Sequence, residues 1–276
     1  MKSKIIFIKK SCYYSFAIVT GISTIASLLG YSIKDLFNNN ICWKNILILF
    51  ILFLFISIVI ALIQFVLNHK GFSTIINGKE VKIINSNIFS TTGLKVIPFN
   101  ERFDTIVDDK IISHDSLNGI MIDKYVTDLN DLNNTIKEAF AEKVDLIPVK
   151  KKDKIIYPLG RIIKYNDYLL LAMTHFDNQN QAYININEYE SMLTNMWHEI
   201  RRVYAGKKVV LPLIGSGITT MTGTKEKDNT MLLKCMLCTL KRSRFQPKNG
   251  ITIVLTQETI DTIEMVKIKE EFKNGV

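Results

Sequence analysis

The sequence predicts two N-terminal transmembrane helices followed by an α/β domain with a mixed sheet flanked by helices. Three observations predict it. Two long uncharged runs lie before residue 70. Short apolar strands alternate with helix-period segments from Gly71 onward. One strand, within Lys207–Thr220, ends in Gly215-Ser216-Gly217 and small hydroxylated residues. Length fits one or two folded units: 276 residues, 47% hydrophobic, with a positive mean hydropathy.

Charge separates the two parts. Residues 1–70 hold seven lysines and one acid, Asp35, for a net of +6; the remaining 28 basic and 25 acidic groups give +3. Most of the imbalance therefore flanks the apolar runs, as juxtamembrane anchoring requires. The mild remainder, with no RNP-like, zinc-finger or recognition-helix pattern, argues against nucleic acid as a partner. Cys235 and Cys238 form a Cys-x-x-Cys with no second pair and no nearby histidine. Four zinc ligands are not available locally, and the pair reads as a buried helix face.

Residues 1–10 are a basic start. Residues 11–69 read as a helical hairpin, with spans at about 11–33 and 45–68, each near the roughly 20 residues that cross the hydrocarbon core. No small-residue cleavage site follows the first run, so a signal peptide is not the reading. The lysines before the first span and after the second place both termini in the cytoplasm of a bacterial cell, with the hairpin in the inner membrane. Thr20, Ser23, Ser27 and Gly30 share one face of the first span. That face serves either packing within the hairpin or self-association and the lining of a membrane lesion. The second span is bulky, with a lone Gln64.

From residue 71 to 276 the elements follow in order. Val81–Ile84, Ile88–Phe89 and Lys95–Phe99 read as strands, the last running into the polar Asn100–Thr105. Ile111-Ile112 leads to Ser116–Gly119, a second polar stretch. Asp128–Glu142 reads as a helix with Ile136, Ala139 and Phe140 on its apolar face and Asp128 or Asn130 as N-cap. Lys150-Lys151-Lys152 reads as a solvated turn. Arg161–Tyr165 and Tyr168–Met173 form a hairpin about Asn166-Asp167. Asn187–Tyr204 is the clearest helix, with a capping-box spacing at Asn187 and Glu190 and a stripe through Tyr189, Met192, Leu193, Met196, Trp197 and Ile200. His198 on that helix reads as a surface or packing residue. A helix over about Asp228–Arg244, a strand over Gly250–Leu255 and a helix over Thr256–Phe272 close the domain.

Ligands of α/β sheets sit beyond strand C-terminal ends. Asn100–Thr105, Ser116–Gly119 and Gly215–Thr220 each follow an apolar strand and would converge on a phosphate-bearing ligand. The backbone N–H groups of Gly215, Ser216, Gly217, Ile218, Thr219 and Thr220 would hold a diphosphate. Asn100 would bond ribose hydroxyls, and Phe99 or Phe103 would stack on a base. Asp104, Asp108 and Asp109 read as caps or solvated acids, with a metal group as the alternative. No Walker A, Rossmann or His-Glu-x-x-His pattern occurs.

The segment from Glu80 to Phe272 resembles a macro domain, a fold that binds ADP-ribose and related nucleotides. Glu80–Phe89 resembles the family's opening strands, Lys95–Gly119 lies at its first ligand loop, and "VVLPLIGSGITT" resembles its diphosphate-binding loop. With two preceding spans and "IPFNERFDT", the chain looks most like the transmembrane macro-domain effectors of Thoeris anti-phage systems. That resemblance implies a partner TIR-domain protein that makes an ADP-ribose-type second messenger from NAD, such as amino-acid-linked ADP-ribose. It also implies binding by the macro domain, homo-oligomerisation on activation, and breach of the lipid bilayer in cell suicide. No cofactor is implied. Asn87 stands where many macro domains have an acid near adenine, and Asp104 ends a first loop that lacks the glycine-rich double-Asn pattern of ADP-ribosyl hydrolases. With Gly119, Asn100 and Phe103, these complete the expected ligand-binding set. The expectation is a sensor rather than an enzyme; a membrane-bound ADP-ribosyl hydrolase or phosphatase, and a structural tether with a degenerate pocket, are the alternatives.

Overall fold

The computed structural model describes residues 2–28, 43–69, 71–142, 144–151, 154–177, 179–224 and 227–273. It divides into two units, Met1–Lys70 and Gly71–Val276. In the first, α1 (Lys2–Leu28) and α2 (Trp43–His69) pack against each other. The helix α1 begins well before the uncharged run, because lysine is itself a good helix former. Thr20 and Thr24 turn their hydroxyls onto carbonyls of the preceding turn, Phe16 and Thr20, so they are satisfied without a partner helix. The Asn38–Asn40 connection and Gly30 lie outside the described residues. Counted over the described residues alone, no helix is long and apolar enough to cross a membrane. The full α2 sequence nevertheless holds no charged residue between Asn45 and Asn68, and Phe50, Phe55 and Leu62 are exposed on it.

The second unit is built on a nine-stranded sheet. Its strands are β1 (Phe72–Ile76), β2 (Lys79–Asn85), β3 (Leu94–Asn100), β6 (Ile162–Tyr165), β7 (Tyr168–Phe176), β8 (Ala182–Asn185), β9 (Val209–Pro212), β10 (Thr220–Thr222) and β11 (Ile251–Leu255). A separate ribbon pairs β4 (Val149–Lys151) with β5 (Lys154–Ile156), so Lys150 and Lys151 belong to a strand rather than a turn; Lys152 lies outside the described residues. The order is β1-β2-β11-β9-β3-β7-β8-β10, with β6 beside the first half of β7. β2, β11, β9, β3 and β7 run parallel. β1 opposes β2, and β6 and β8 oppose β7, which makes the sheet mixed, as expected; β10 runs parallel to β8.

Alternation along the strands feeds two cores. Val81, Ile83, Leu94, Val96, Val209, Leu211, Ile251 and Ile253 point to one face. It is covered by α5 (Ile186–Val203), α6 (Asn229–Ser243) and α8 (Met265–Phe272). Ile97, Phe99, Leu170, Ala172, Val210 and Val254 point to the other, covered by α3 (Leu117–Tyr125) and α4 (Leu129–Glu138). Covering both faces explains why every position of β9 and β11 is buried and all but Thr252 are apolar.

Several local expectations need correction. Ile88–Phe89 is one turn of 3-10 helix capped by Asn87, because the Asn87 side chain accepts from Phe89 N and gives the backbone an alternative to a ladder. The α5 capping box is Asn185 with Glu188, two residues earlier than its predicted pair. The closing helix is split into α7 (Gln257–Ile260) and α8, and β1, β8, β10 and α3 had no assigned element. The helix at 128–142 stops at Glu138, with Asp128 as its N-cap. Cys235 and Cys238 flank the core as half-buried packing residues, and burial pushes the Cys235 thiol up to about 11.

An ion cluster around buried Arg161 ties the start of β6 to α5 and to Glu142 beyond α4. Fully buried Arg161 meets Glu199 and Glu142, each at 2.6 Å, and Arg202 also bonds Glu199. Burial alone would raise the Glu199 carboxyl, but the Arg202 bond and the Arg161 charge outweigh it and hold it low. Replacing Glu199 with Leu leaves the buried guanidinium with Glu142 as its only acid partner among the described residues. We expect a loss of about 3 kcal/mol, the lower end for a broken buried pair because Glu142 remains, read by urea unfolding of the full chain.

Candidate functional site

The site is set by where β9 stops. Val210 is level with Lys95, so Pro212 falls level with Ile97, short of Asn100 at the end of β3. The chain must then travel from β9 to β10, past the C-terminal ends of β3 and β7, to reach its partner β8. Residues 213–219 make that crossing. A turn starts it. Ser216 N donates to Leu213 O at 3.2 Å, and Gly215 takes φ +86° at the third position, the type II pattern. A Cβ at Gly215 would also press on the Tyr189 ring at 3.3 Å. Tyr189, buried in α5, donates from its hydroxyl to Ile214 O at 2.7 Å and fixes the start of the loop. Of the two glycines, only Gly215 uses its freedom of φ; Gly217 is exposed with nothing near its Cβ position. Ser216 spends its hydroxyl on Leu213 O, Ile218 is 85% exposed, and Thr219 leads to Thr220, the first residue of β10.

Beneath the loop lies the end of β3. Asn100 is 3% exposed. Its side-chain oxygen accepts from Arg102 N and Asp104 N, and its amide donates to the Asp104 carboxylate at 3.0 Å. Its oxygen and one amide N–H hold the turn with Asp104 as partner, so in this structure Asn100 has a structural role where a ribose contact was expected. Phe103 is corrected too. At 2% exposure it packs on Phe99 and edge-on to Tyr157, with the positive φ of +52° that a bulky residue takes only when its surroundings enforce it. Phe99 is equally buried, so neither ring is open to a base in this structure. Gly119 is not in a loop. It lies in α3, and a Cβ there would meet Ser113 O at 2.2 Å; its role is close packing under the Ser116 cap. Asn87 is exposed just past β2, capping its 3-10 turn. Asp108 and Asp109 accept backbone N–H bonds as turn caps, and no group of metal-ligating side chains forms among the described residues.

The structure adds residues that spacing did not reveal. Thr220 pairs with Tyr183, and Tyr183 with His175, so these three form one row across β10, β8 and β7. The His175 ring lies 5.4 Å from the Tyr183 ring. Its Nδ1 is 2.6 Å from Glu101, and its Nε2 is 3.5 Å from Glu188 in the first turn of α5. The Glu101 hydrogen bond holds the imidazolium above its ordinary value of 6.5, against the downward pull of burial. The only signal for His175 was its place at the end of a buried strand; its two acids come from distant segments. His198, in contrast, is exposed, in keeping with its surface reading.

Residues 81–256 match the family model described as Thoeris protein ThsA, Macro domain, so the α/β unit with its edge-crossing loop is of the macro-domain class. The chain is 36% identical over 241 residues to Thoeris protein ThsA of Bacillus amyloliquefaciens (strain Y2), a match covering 83% of this chain and 81% of that one. The Oceanobacillus iheyensis macrodomain with ADP is 13% identical with a TM-score of 0.48, covering 74% of this chain and 97% of that chain. A mutant of that macrodomain with ADPR, also 13% identical, has a TM-score of 0.49, with coverages of 74% and 100%. The chain belongs to the Thoeris ThsA macro-domain family.

A raised histidine stabilises the fold fully below its ordinary pKa, and that contribution is lost as pH rises through the raised value. His175→Gln is therefore expected to cost about 1.5 kcal/mol near pH 5.5, the scale of a charge-assisted hydrogen bond. The cost shrinks in alkaline buffer. Thermal unfolding of both proteins across pH checks this; a difference that stays constant rejects it.

Proposed function

We propose that this chain is a membrane-anchored effector whose macro domain binds an ADP-ribose-derived nucleotide. On binding, the chain oligomerises and disrupts the bacterial inner membrane. The observation that carries the reading is the crossing loop 213–219, which presents exposed Gly217 and Ile218 over the ends of β3 and β7. Family membership supports the Thoeris setting. In that setting a partner TIR-domain protein makes the signal from NAD, and amino-acid-linked ADP-ribose is the proposed ligand class. The 83% match to the Bacillus relative exceeds the share taken by residues 71–276, so it reaches into the helical unit as well.

The membrane role rests on α2. A helix of 27 residues is about 40 Å long at ~1.5 Å per residue, enough for a bilayer core. Its uncharged stretch leaves large apolar side chains exposed, which a single chain in water would leave unburied. A ligand triggers assembly only if it favours the assembled state over the resting one. The proposed orientation has both termini cytoplasmic; a reporter fused after Val276 that is active only outside the cell would reject it.

Gly217→Asp tests the ligand site. The position has open space and no left-handed φ, so the fold accepts the side chain while its charge repels phosphate. We expect ADP-ribose binding and toxicity to fall about a hundredfold or more, as for a buried like-charge contact, with membrane insertion unchanged. Calorimetry on the full chain in detergent reads the first and growth arrest the second. The alternative, an ADP-ribosyl hydrolase, is favoured by the Glu101–His175–Glu188 trio. Release of ADP-ribose from modified protein, lost in His175→Gln, would support it against the binder reading.

A further inference from the structure

Lys227 lies between β10 and α6, next to the Asp228 cap. Its ammonium is directed at the crossing loop. It donates to the carbonyl oxygens of Ser216 at 3.5 Å, Thr219 at 3.2 Å and Gly217. An ammonium has three N–H donors, and three carbonyls take them.

This fixes the other side of the loop. Among the described residues the peptide bonds are trans. In a trans peptide the carbonyl of one residue and the N–H of the next point in opposite directions. Drawing the carbonyls of Ser216, Gly217 and Thr219 onto one cation therefore turns the N–H groups of Gly217, Ile218 and Thr220 away from it. Thr220 starts the pairing of β10 with β8. Gly217 and Ile218 remain as successive amides facing one way, the arrangement that binds anions. Nothing else named in the loop holds them so. The Leu213–Ser216 turn ends before them, Gly217 has no neighbour within 4 Å of its Cβ position, and Ile218 is exposed. Desolvation by the loop lowers the Lys227 pKa, although the residue as a whole is exposed.

We propose that Lys227 is a positioning residue for a diphosphate: it clamps the carbonyl side of residues 216–219 so that the amides of Gly217 and Ile218 are set for phosphate oxygens on the opposite side. The cation does not touch the ligand. It polarises the intervening peptides, so each amide becomes a stronger donor to an anion. The inference rests on the nucleotide-binding reading above and names the part of the ligand that this loop grips.

The test titrates the full chain in detergent with ADP-ribose, inorganic pyrophosphate and adenosine. Wild type is compared with Lys227→Met and Lys227→Arg. Lys227→Met is expected to weaken ADP-ribose and pyrophosphate by about tenfold, the scale of one charge-assisted contact. Adenosine, which has no phosphate, should be unaffected. Lys227→Arg should recover most of the loss. Hydrogen exchange of Gly217–Thr219 should quicken in the Met variant, with other regions unchanged. Equal ADP-ribose affinity in wild type and Met variant would overturn the clamp and leave the nucleotide reading standing. Equal losses for adenosine and ADP-ribose would also overturn it, since that marks general damage. Wild type that binds pyrophosphate but not ADP-ribose, with the Met variant weaker, would uphold the clamp and reject the nucleotide. Wild type that binds neither would overturn both. Should the Met variant not fold, Lys227→Gln replaces it, and unchanged ADP-ribose affinity there would again overturn the clamp.

Discussion

The constraint on which this domain depends is the early end of β9. A strand buried on both faces by α5, α6 and the opposite core must leave the sheet where Pro212 ends it, below the end of β3. Its continuation pairs only at the far side, on β8. The chain is therefore drawn across the C-terminal edge, and the crossing segment forms the exposed surface there. Gly215 allows the departure, Tyr189 anchors it from beneath, and Lys227 gathers its carbonyls. The site follows from sheet order as much as from the glycines.

Charge is handled differently in the two places where it is buried. Arg161 lies wholly inside, so its guanidinium is matched by Glu199 and Glu142, and these bonds join the start of β6 to α5 and to Glu142 beyond α4. Such a cluster specifies which elements meet more than it adds net stability, because desolvation offsets much of the attraction. His175 lies at the edge, partly open to water, between Glu101 and Glu188. There the Glu101 hydrogen bond raises the pKa of a titratable group. Acid partners thus neutralise a fixed charge in the core and bias a titrating one at the edge.

Much of the fold was legible in the sequence. The α5 stripe through Tyr189, Leu193, Trp197 and Ile200 repeats at helical period, and all four side chains are buried as expected. The hairpin at Asn166-Asp167 forms as its turn residues require, with Asn166 at positive φ. The site was less legible. Phe103 and Asn100 looked available because they follow a strand, yet one faces inward into the aromatic cluster and the other caps its own loop. Gly119 looked like a loop glycine because Ser116 and Asn118 are polar, but Ser116 is a helix cap and the glycine admits a neighbouring carbonyl. His175, Glu101 and Glu188 have no shared local pattern. Only strand pairing brings them together.

By itself the sequence determined the division of the chain at about residue 70, the covering of both sheet faces, and a glycine turn after a buried strand. These are local properties: uncharged length, alternation of apolar residues, and the φ that glycine permits. The tertiary structure alone decided which of the residues past the strand ends are buried or used as caps and which stay exposed. That depends on strand order, on which element each strand pairs with, and on which backbone groups a distant lysine takes up. In this chain the loop at Gly215–Thr219 keeps its expected place at the edge, while the partners around it are set by pairings of residues far apart in sequence.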